Sequence, residues 1–219
     1  MIKNIFPTYI WESTYPGYNK EETTRFFDEC MQEQGSNQNN YFLINTDTTS
    51  LATQETDVMI SPTDYPFTSN IMENLNLPDI FKWLNTQIIQ YHEYCGYTIS
   101  QSSDSYIYNL WLNSSSQNGQ VLLHNHNPAL TSGVFYVDAI PESGNLFLLN
   151  PNDLLHGRNG YVQGHSAIGA HGFYPDKWYE FQAESGRLIL FPGYLYHQVP
   201  KNPTEYKRRV INFDVRILI

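Results

Sequence analysis

The sequence predicts a mainly β fold, a β-sandwich or jelly roll with flanking α-helices, and three observations lead to that prediction. Aromatic residues make up 15% of the chain, with 17 Tyr, whereas charged residues make up only 16%. Such a composition favours strands and turns over long surface helices. From residue 105 onward, short strand-like runs follow one another between turn residues, without alternating helical patterns. This order argues against a parallel sheet built from βαβ units.

Two supporting helices are predicted in the first 100 residues. After a turn at Pro16-Gly17, a helix is expected over residues 21–34, because apolar residues recur there at helical spacing. Pro78 fits the first turn of a second helix, expected over residues 78–95. His92 lies beside the apolar stripe of that helix, and we interpret it as a packed or half-exposed histidine rather than a ligand.

Strands dominate the rest of the chain. The polar residues 35–63 are predicted to form loops with a strand or two, and residues 150–180 a long excursion between strands. Turn signals at Gly119, Ser132-Gly133 and Ser143-Gly144 separate several of the later strands. The predicted strands cover residues 106–113, 120–126, 133–138, 145–149, 187–191, 194–199 and 208–218.

The length suits one domain with a sizeable core, and the chain shows no internal repeat. We therefore predict a single domain over residues 1–219. Its N-terminal strands and supporting helices lie in residues 1–100, and its jelly-roll core lies in residues 105–219.

Composition also restricts the partners. The net charge is −10, with only 12 Lys and Arg, so no broad nucleic-acid surface is expected. The single basic cluster, Lys207-Arg208-Arg209, is too small to follow a phosphate backbone. We see no signal-peptide pattern and no apolar run that would span a bilayer, and we expect no membrane partner. Cys30 and Cys95 fit neither zinc spacing nor a disulfide pattern, so we expect reduced cysteines in an intracellular protein.

A pair of histidines in a strand-like run is the first candidate for a metal site. His124 and His126 are two residues apart, and in a strand both imidazoles leave the same face. The alternative is a polar strand face that happens to carry two exposed histidines. A third imidazole from a distant strand would complete three corners around a metal and leave other positions open, as catalytic metal sites do.

His197 is the candidate for that third ligand. It follows the run Gly186 to Pro192, which predicts a strand, a Phe-Pro turn and a histidine entering the next strand. Such a turn lets a strand end at the mouth of a barrel, where ligands normally lie. The alternative is a histidine that caps a strand edge.

Arg208 follows His197 by eleven residues and begins the last predicted strand. Strand alternation lets only one of Arg208 and Arg209 face the interior, and the spacing from His197 favours Arg208. Burying its charge alone would cost several kcal/mol, so it needs an anionic partner. Its fork of donors suits a bound dicarboxylate. The alternative is a salt bridge, at the barrel rim, to one of the 22 acidic residues of the chain.

The order of these motifs resembles the Fe(II)- and 2-oxoglutarate-dependent oxygenases. The histidine pair is followed by Pro128, then by the SGxxY pattern that ends at Tyr136. The pattern GxLxLFPxxLxH comes next and ends at His197, and the arginine stands eleven residues further on. Within this superfamily the chain is most similar to a small group common in marine bacteria and their phages. The segments around 109–137 and 186–213 carry the specific part of the resemblance.

The resemblance implies a double-stranded β-helix core with helices on one side. It implies an Fe(II)- and 2-oxoglutarate-dependent dioxygenase, most simply a hydroxylase, in the cytoplasm of a bacterium or of a phage-infected host cell. Iron would be held by His124, His126 and His197, and the distal carboxylate of 2-oxoglutarate by Arg208. Asn109 resembles a first-strand polar residue that assists the cosubstrate in related enzymes. The substrate, a small molecule or a peptide, and the oligomeric state are not predicted.

The chain departs from the superfamily pattern in three places. The usual motif is His-x-Asp or His-x-Glu, and here His126 stands where that carboxylate is expected. A three-histidine site has a higher net charge and can favour another divalent metal. Val210 replaces the usual Ser two residues after the arginine. Residues 150–180 are longer than expected, and they contain His156, His165 and His171 without a predicted role.

Two other classes of function stay open from the sequence. A cupin-type metalloenzyme shares the jelly roll and the histidine pair, and Gly186, Pro192 and His197 match the spacing of its second motif. Against it, residues 128–131 contain no acid where a cupin needs glutamate, and Arg208 has no role there. A non-catalytic binding or structural protein with the same fold is the other alternative.

Overall fold

The structure, a computed structural model, describes residues 7–33, 42–43, 57–60, 78–99, 105–151 and 178–217. Eleven strands and two helices lie within these ranges. In chain order they are β1 (Trp11–Thr14), α1 (Lys20–Glu33), β2 (Phe42–Leu43), β3 (Asp57–Ile60), α2 (Pro78–Tyr94), β4 (Ser105–Ser115), β5 (Val121–His124), β6 (Thr131–Asp138), β7 (Leu146–Leu149), β8 (Trp178–Phe181), β9 (Arg187–Pro192), β10 (His197–Val199) and β11 (Arg208–Ile217).

The strands form two antiparallel sheets. The larger sheet has the order β1-β9-β6-β11-β4-β3-β2, and the smaller sheet has the order β5-β10-β7-β8. Apolar side chains of both sheets meet between them, and the two helices cover the other face of the larger sheet. The predicted jelly-roll core with flanking helices is confirmed.

Both predicted helices are present, within one residue of their expected bounds. Asn19 precedes α1, and its side-chain oxygen accepts a hydrogen bond from the Glu22 N–H at 3.3 Å, as an N-cap does. The second helix ends before Gly96, whose φ of 92° lies in the left-handed region that favours glycine. Neither helix has the length and apolar character needed to cross a membrane.

An outer hydrophobic cluster holds the helices on the larger sheet. Its buried side chains come from one face of each helix and from alternate positions of β6, β9 and β11. Cys95 packs against this cluster as a free thiol, whereas the side chain of Cys30 lies outside the described residues. Central members of the cluster are Phe27, Leu84, Ile88, Phe135, Leu188, Ile211 and Phe213.

The Ser132-Gly133 pair was predicted as a turn signal, and this prediction is wrong. Both residues lie inside β6, where Gly133 pairs directly with Phe213 of β11. A Cβ atom on Gly133 would lie 2.2 Å from the Phe213 ring. Glycine therefore makes room for a packed aromatic ring across the sheet, and no turn is involved.

The strand predictions need four corrections. No strand was expected at β1, and β8 lies inside the supposed excursion 150–180. The predicted strand 120–126 is shorter, because β5 ends at His124, and the predicted strand 194–199 is shorter, because β10 begins only at His197. The strands β2 and β3 confirm that residues 35–63 contain a strand or two, whereas the loops expected there lie outside the described residues. His156, His165 and His171 lie outside the described residues.

Candidate active site

Two of the candidate ligands face each other across the smaller sheet. His124 ends β5 and His197 begins β10, and the two residues are direct partners in this antiparallel pair. Side chains of directly paired residues on neighbouring strands leave the same face of the sheet. The two ring centroids are accordingly only 4.3 Å apart.

His126 reaches the same point by a different route from the one predicted. It lies two residues beyond the end of β5, so strand alternation does not place it. Its backbone N–H donates to the Gly193 carbonyl at 2.8 Å, which ties this segment to the turn after β9. Its ring lies 5.0 Å from that of His124 and 4.9 Å from that of His197. One ligand atom from each of the three rings lies within 4.8 Å of the others.

Backbone carbonyls orient two of the rings. His124 Nδ1 lies 2.7 Å from the Leu122 oxygen, and His197 Nδ1 lies 3.0 Å from the Leu195 oxygen. Since a carbonyl can only accept, the proton of each neutral ring belongs on Nδ1. This tautomer leaves Nε2 with the lone pair that a metal ligand needs.

The third ring is oriented by a carboxylate. His126 Nδ1 lies 2.8 Å from Asp214 Oδ1, which also accepts a hydrogen bond from Ser132 Oγ at 2.7 Å. Asp214 was not among the predicted site residues. Its signal in the sequence is its position in β11, where it stands an even number of residues after Arg208 and therefore on the same side of the strand.

The histidine cluster fits a divalent metal. Nε2 of His124 and Nε2 of His126 are 3.0 Å apart, although both atoms are acceptors in this tautomer. Two lone pairs this close repel each other, and a shared cation removes the repulsion. Burial and then the neighbouring histidines hold the pKa of His197 well below 6.5, so its ring is neutral at pH 7, as a ligand must be.

Arg208 is buried and has no acidic partner among the described residues. Only 3% of it is exposed. Its Nη1 donates to the Gly144 carbonyl at 2.6 Å and its Nη2 to Ser115 Oγ at 3.2 Å, both neutral acceptors. Its Nε has no hydrogen-bond partner in the described ranges. Burial lowers the pKa of this guanidinium, because removing a charged group from water disfavours its charged form. The site fits a bound anion, and Arg208 forms no salt bridge at the rim with any acidic residue that the structure describes.

Arg209 makes the salt bridges instead. Its guanidinium donates to both oxygens of Asp28 on α1, at 3.0 and 3.2 Å, and to Asp138 of β6 at 3.2 Å. The two neighbouring arginines therefore point to opposite faces of the larger sheet, as alternation predicts.

The histidines and Arg208 line one cavity between the sheets. Val210 lines it two residues after Arg208, where the resemblance leads one to expect Ser. Tyr136 also lines it, and burial raises the pKa of its hydroxyl to about 12, which keeps the proton on at neutral pH. Asn113 lines the cavity too. Neither Tyr136 nor Asn113 was predicted as a site residue.

Asn109 is described only through its backbone. It lies in β4 and pairs with Asp214 of β11, but its side chain lies outside the described residues. Asn113 is four residues further along the same strand, in the same phase of the alternation.

His92 takes no part in the cluster. It is fully buried, and its Nε2 lies 2.8 Å from Thr131 Oγ1. Burial lowers its pKa to about 4. The interpretation of His92 as a packed histidine is confirmed.

Comparisons with known proteins agree with this site. Residues 109–214 match the model of a family described as "Putative 2OG-Fe(II) oxygenase". No curated protein sequence matches the chain. Solved structures that resemble it include an α-ketoglutarate-dependent carbocyclase, a prolyl-4-hydroxylase and a protein with 2-oxoglutarate bound.

Three solved structures illustrate the likeness. SnoK, a non-heme α-ketoglutarate-dependent carbocyclase from nogalamycin biosynthesis, is 11% identical over 95% of this chain and 80% of its own, with a TM-score of 0.59. HygX from Streptomyces hygroscopicus, with nickel and 2-oxoglutarate bound, is 14% identical over 97% and 84%, with a TM-score of 0.55. A Pseudomonas putida prolyl-4-hydroxylase is 12% identical over 97% and 94%, with a TM-score of 0.52.

At these identities the likeness shows the fold, a double-stranded β-helix, and the family match covers the segment that holds the histidines and Arg208. Residues 109–214, which include the histidine cluster and Arg208, are thus similar to a family of Fe(II)- and 2-oxoglutarate-dependent oxygenases, and the described fold is shared with solved structures of that class. The matched family is described by Fe(II) and 2-oxoglutarate, HygX is known with iron or with nickel and 2-oxoglutarate bound, and the three histidines of this chain could hold a metal ion.

Proposed function

We propose that this protein is an Fe(II)- and 2-oxoglutarate-dependent dioxygenase that hydroxylates its substrate. His124, His126 and His197 are the proposed metal ligands, and Arg208 is the proposed anchor of the distal 2-oxoglutarate carboxylate. One observation carries the assignment of residues. Three imidazoles that converge on one point share a cavity with a buried guanidinium that has no protein counter-charge in the described ranges. A metal ion would bind the three imidazoles, and a dicarboxylate would neutralise the guanidinium.

The three histidines suit an open catalytic site. Each ring directs Nε2 to the common point, because its Nδ1 contacts a carbonyl or carboxylate oxygen. Three protein ligands leave coordination positions for small molecules, unlike a closed structural site.

Arg208 suits a carboxylate of the cosubstrate. Gly144 and Ser115 hold its two terminal nitrogens from the protein side, which fixes the plane of the guanidinium before any ligand arrives. A charge-assisted contact in a buried cavity is stronger than the same contact in water. Asn109 remains a proposed second contact to the cosubstrate.

Bound Fe(II) and 2-oxoglutarate supply the activation of dioxygen, and the overall reaction turns R–H, O₂ and 2-oxoglutarate into R–OH, succinate and CO₂. The protein orients both and limits the access of water. Hydroxylation is the simplest outcome for this class. The fold alone does not choose it, since similar structures include a carbocyclase and a prolyl-4-hydroxylase.

The two neighbouring arginines provide a matched test. Arg208→Ala removes the proposed anchor, and 2-oxoglutarate affinity should fall by about thirtyfold to several thousandfold, equivalent to about 2–5 kcal/mol. Fe(II) binding and folding should stay nearly intact. Arg209→Ala removes an equal charge from the other face of the sheet and should leave 2-oxoglutarate affinity unchanged.

The measurement is the formation of succinate from 2-oxoglutarate by the Fe(II)-loaded proteins, over a range of cosubstrate concentrations. If the parent never consumes 2-oxoglutarate, or if both variants match it, the proposed function is wrong.

A further inference from the structure

Asp214 is a buried carboxylate that contacts one of the proposed metal ligands. Only 5% of it is exposed, and it pairs in register with Ser132 of the neighbouring strand β6. Its Oδ1 accepts from Ser132 Oγ at 2.7 Å and from His126 Nδ1 at 2.8 Å. Two donors on one oxygen fix the direction of the carboxylate, and through it the plane of the His126 ring.

The three proposed ligands therefore differ in what their Nδ1 atoms contact. His124 and His197 donate to backbone carbonyls at 2.7 and 3.0 Å, whereas His126 donates to a carboxylate. A hydrogen bond to an ionised acceptor is roughly twice as strong as one between neutral groups, and it makes the imidazole a more basic ligand.

We propose that Asp214 is a positioning residue of the metal site, which supplies through His126 the negative charge that this site lacks among its direct ligands. The proposal rests on the metal site assigned under the proposed function. Iron sites of the two-histidine, one-carboxylate type place a negative oxygen directly on the metal. Here a neutral imidazole takes that position, and the carboxylate stands one hydrogen bond behind it. The unit His126–Asp214 then does the work of the missing carboxylate ligand.

Another buried aspartate offers a matched control. Asp138 is 4% exposed and lies on the same larger sheet, at the end of β6. Its partners are Arg209, Lys20 and Tyr206, and it contacts none of the three histidines. Asp138→Asn therefore removes a buried carboxylate charge from the sheet without touching the metal site.

The first measurement is Co(II) affinity by competition with a chromophoric chelator, for the parent, Asp214→Asn and Asp138→Asn. Loss of the partner of a metal-bound histidine costs about 10- to 100-fold in metal affinity. We expect that loss for Asp214→Asn, whereas Asp138→Asn should bind Co(II) as the parent does. Ser132→Ala, which removes only the hydroxyl that orients the carboxylate, should give a smaller loss in the same direction.

The second measurement separates an electronic role from a merely structural one. In the Co(II) protein, the exchangeable Nδ1–H protons of the three histidines should each give a paramagnetically shifted NMR resonance. Asp214→Asn should move one of the three strongly and leave the other two near their positions. Asp138→Asn should move none. Thermal unfolding of each variant shows whether the fold is retained.

The outcomes separate this proposal from the proposed function. If the parent does not bind Co(II), the three-histidine site itself is wrong. If the parent binds Co(II) and Asp214→Asn binds equally tightly with the same three resonances, the role of Asp214 is wrong and the site stands. If Asp214→Asn is too unstable to load, Ser132→Ala decides: parent-like affinity overturns the proposal, and weaker affinity with one moved resonance supports it.

Discussion

Arg208 and Arg209 are neighbours in one strand, and they point to opposite faces of the larger sheet. On the outer face, Arg209 contacts Asp28 of α1 and Asp138 of β6, so its charge is matched by two carboxylates. On the inner face, Arg208 is more deeply buried, contacts neutral oxygens only, and leaves Nε without a partner in the described ranges. The outer arrangement stabilises the fold, whereas the inner one is completed only by a bound anion.

The histidines repeat this contrast. His92 belongs to α2 and faces the larger sheet, where its Nε2 contacts Thr131 of β6. The cluster of His124, His126 and His197 instead turns its Nε2 atoms towards one another inside the cavity. A buried histidine whose ring nitrogen contacts a protein group, such as His92, needs no ligand. Three imidazoles whose lone pairs point at one another inside a cavity indicate a bound cation.

The largest expected effect is the loss of metal binding when an inner histidine is removed. His197→Ala takes away one of three ligands, and Fe(II) or Co(II) affinity should fall by at least about 100-fold. His92→Gln should keep the metal affinity of the parent, because His92 lies outside the cluster. Isothermal titration calorimetry with Co(II) measures both affinities. Equal Co(II) affinities in the two variants would contradict the claim that His197 binds the metal and His92 does not.

Protonation of His92, the histidine on the outer face, should lower the free energy of unfolding at acid pH. The pKa of His92 in the fold is about 4, below its ordinary value of 6.5, so the unfolded chain binds the proton more readily. The contribution of His92 to stability is therefore complete above pH 6.5 and declines as the pH falls towards 4, by about 3 kcal/mol in all.

Urea unfolding of the parent and of His92→Gln between pH 7 and pH 4 measures this term. The variant should show a shallower loss of unfolding free energy over that range. Identical slopes in the two proteins would mean that His92 is not held neutral by burial.

Two glycines, one on each face of the larger sheet, leave no room for a side chain. A Cβ on Gly133 would meet the Phe213 ring at 2.2 Å on the outer face, and one on Gly144 would meet Arg208 Nη1 at 2.6 Å on the inner face. Gly133 also lines the cavity, but its Cβ would point to Phe213, so Gly133→Ala should lower the free energy of unfolding by about 1–3 kcal/mol and weaken 2-oxoglutarate binding less than Gly144→Ala does. Gly144→Ala should weaken 2-oxoglutarate binding, because it displaces the guanidinium. Its φ of 125° adds backbone strain. Melting curves and cosubstrate titrations should therefore separate the two variants.

Much of the fold and part of the candidate site follow from the sequence. Helical spacing gave both helices to within one residue, because their buried faces repeat at the period of the helix. Strand alternation separated Arg208 from Arg209, because the two are consecutive residues of β11 and consecutive side chains leave opposite faces of a strand. The histidine pair was recognisable by its spacing, although the strand ends between its two members.

What the sequence did not reveal depends on contacts between distant segments. Asp214 meets His126 across 88 residues, and no local pattern marks that pair. Gly133 was mistaken for a turn residue. Glycine is required there because the Phe213 ring of another strand leaves no room for a Cβ atom. The strand β8 was missed, since it lies in a stretch whose glycines and histidines suggest a loop.

The most direct test of the inner face is the titration of 2-oxoglutarate into the anaerobic Fe(II) protein. We expect a weak visible charge-transfer band that grows to saturation as the cosubstrate binds. Arg208→Ala, at the same concentrations, should give little or none of it, and Arg209→Ala should match the parent. If the parent holds Fe(II) and no band develops at saturating 2-oxoglutarate, the cavity does not bind the cosubstrate at the metal, and the assignment of the three histidines and Arg208 is contradicted.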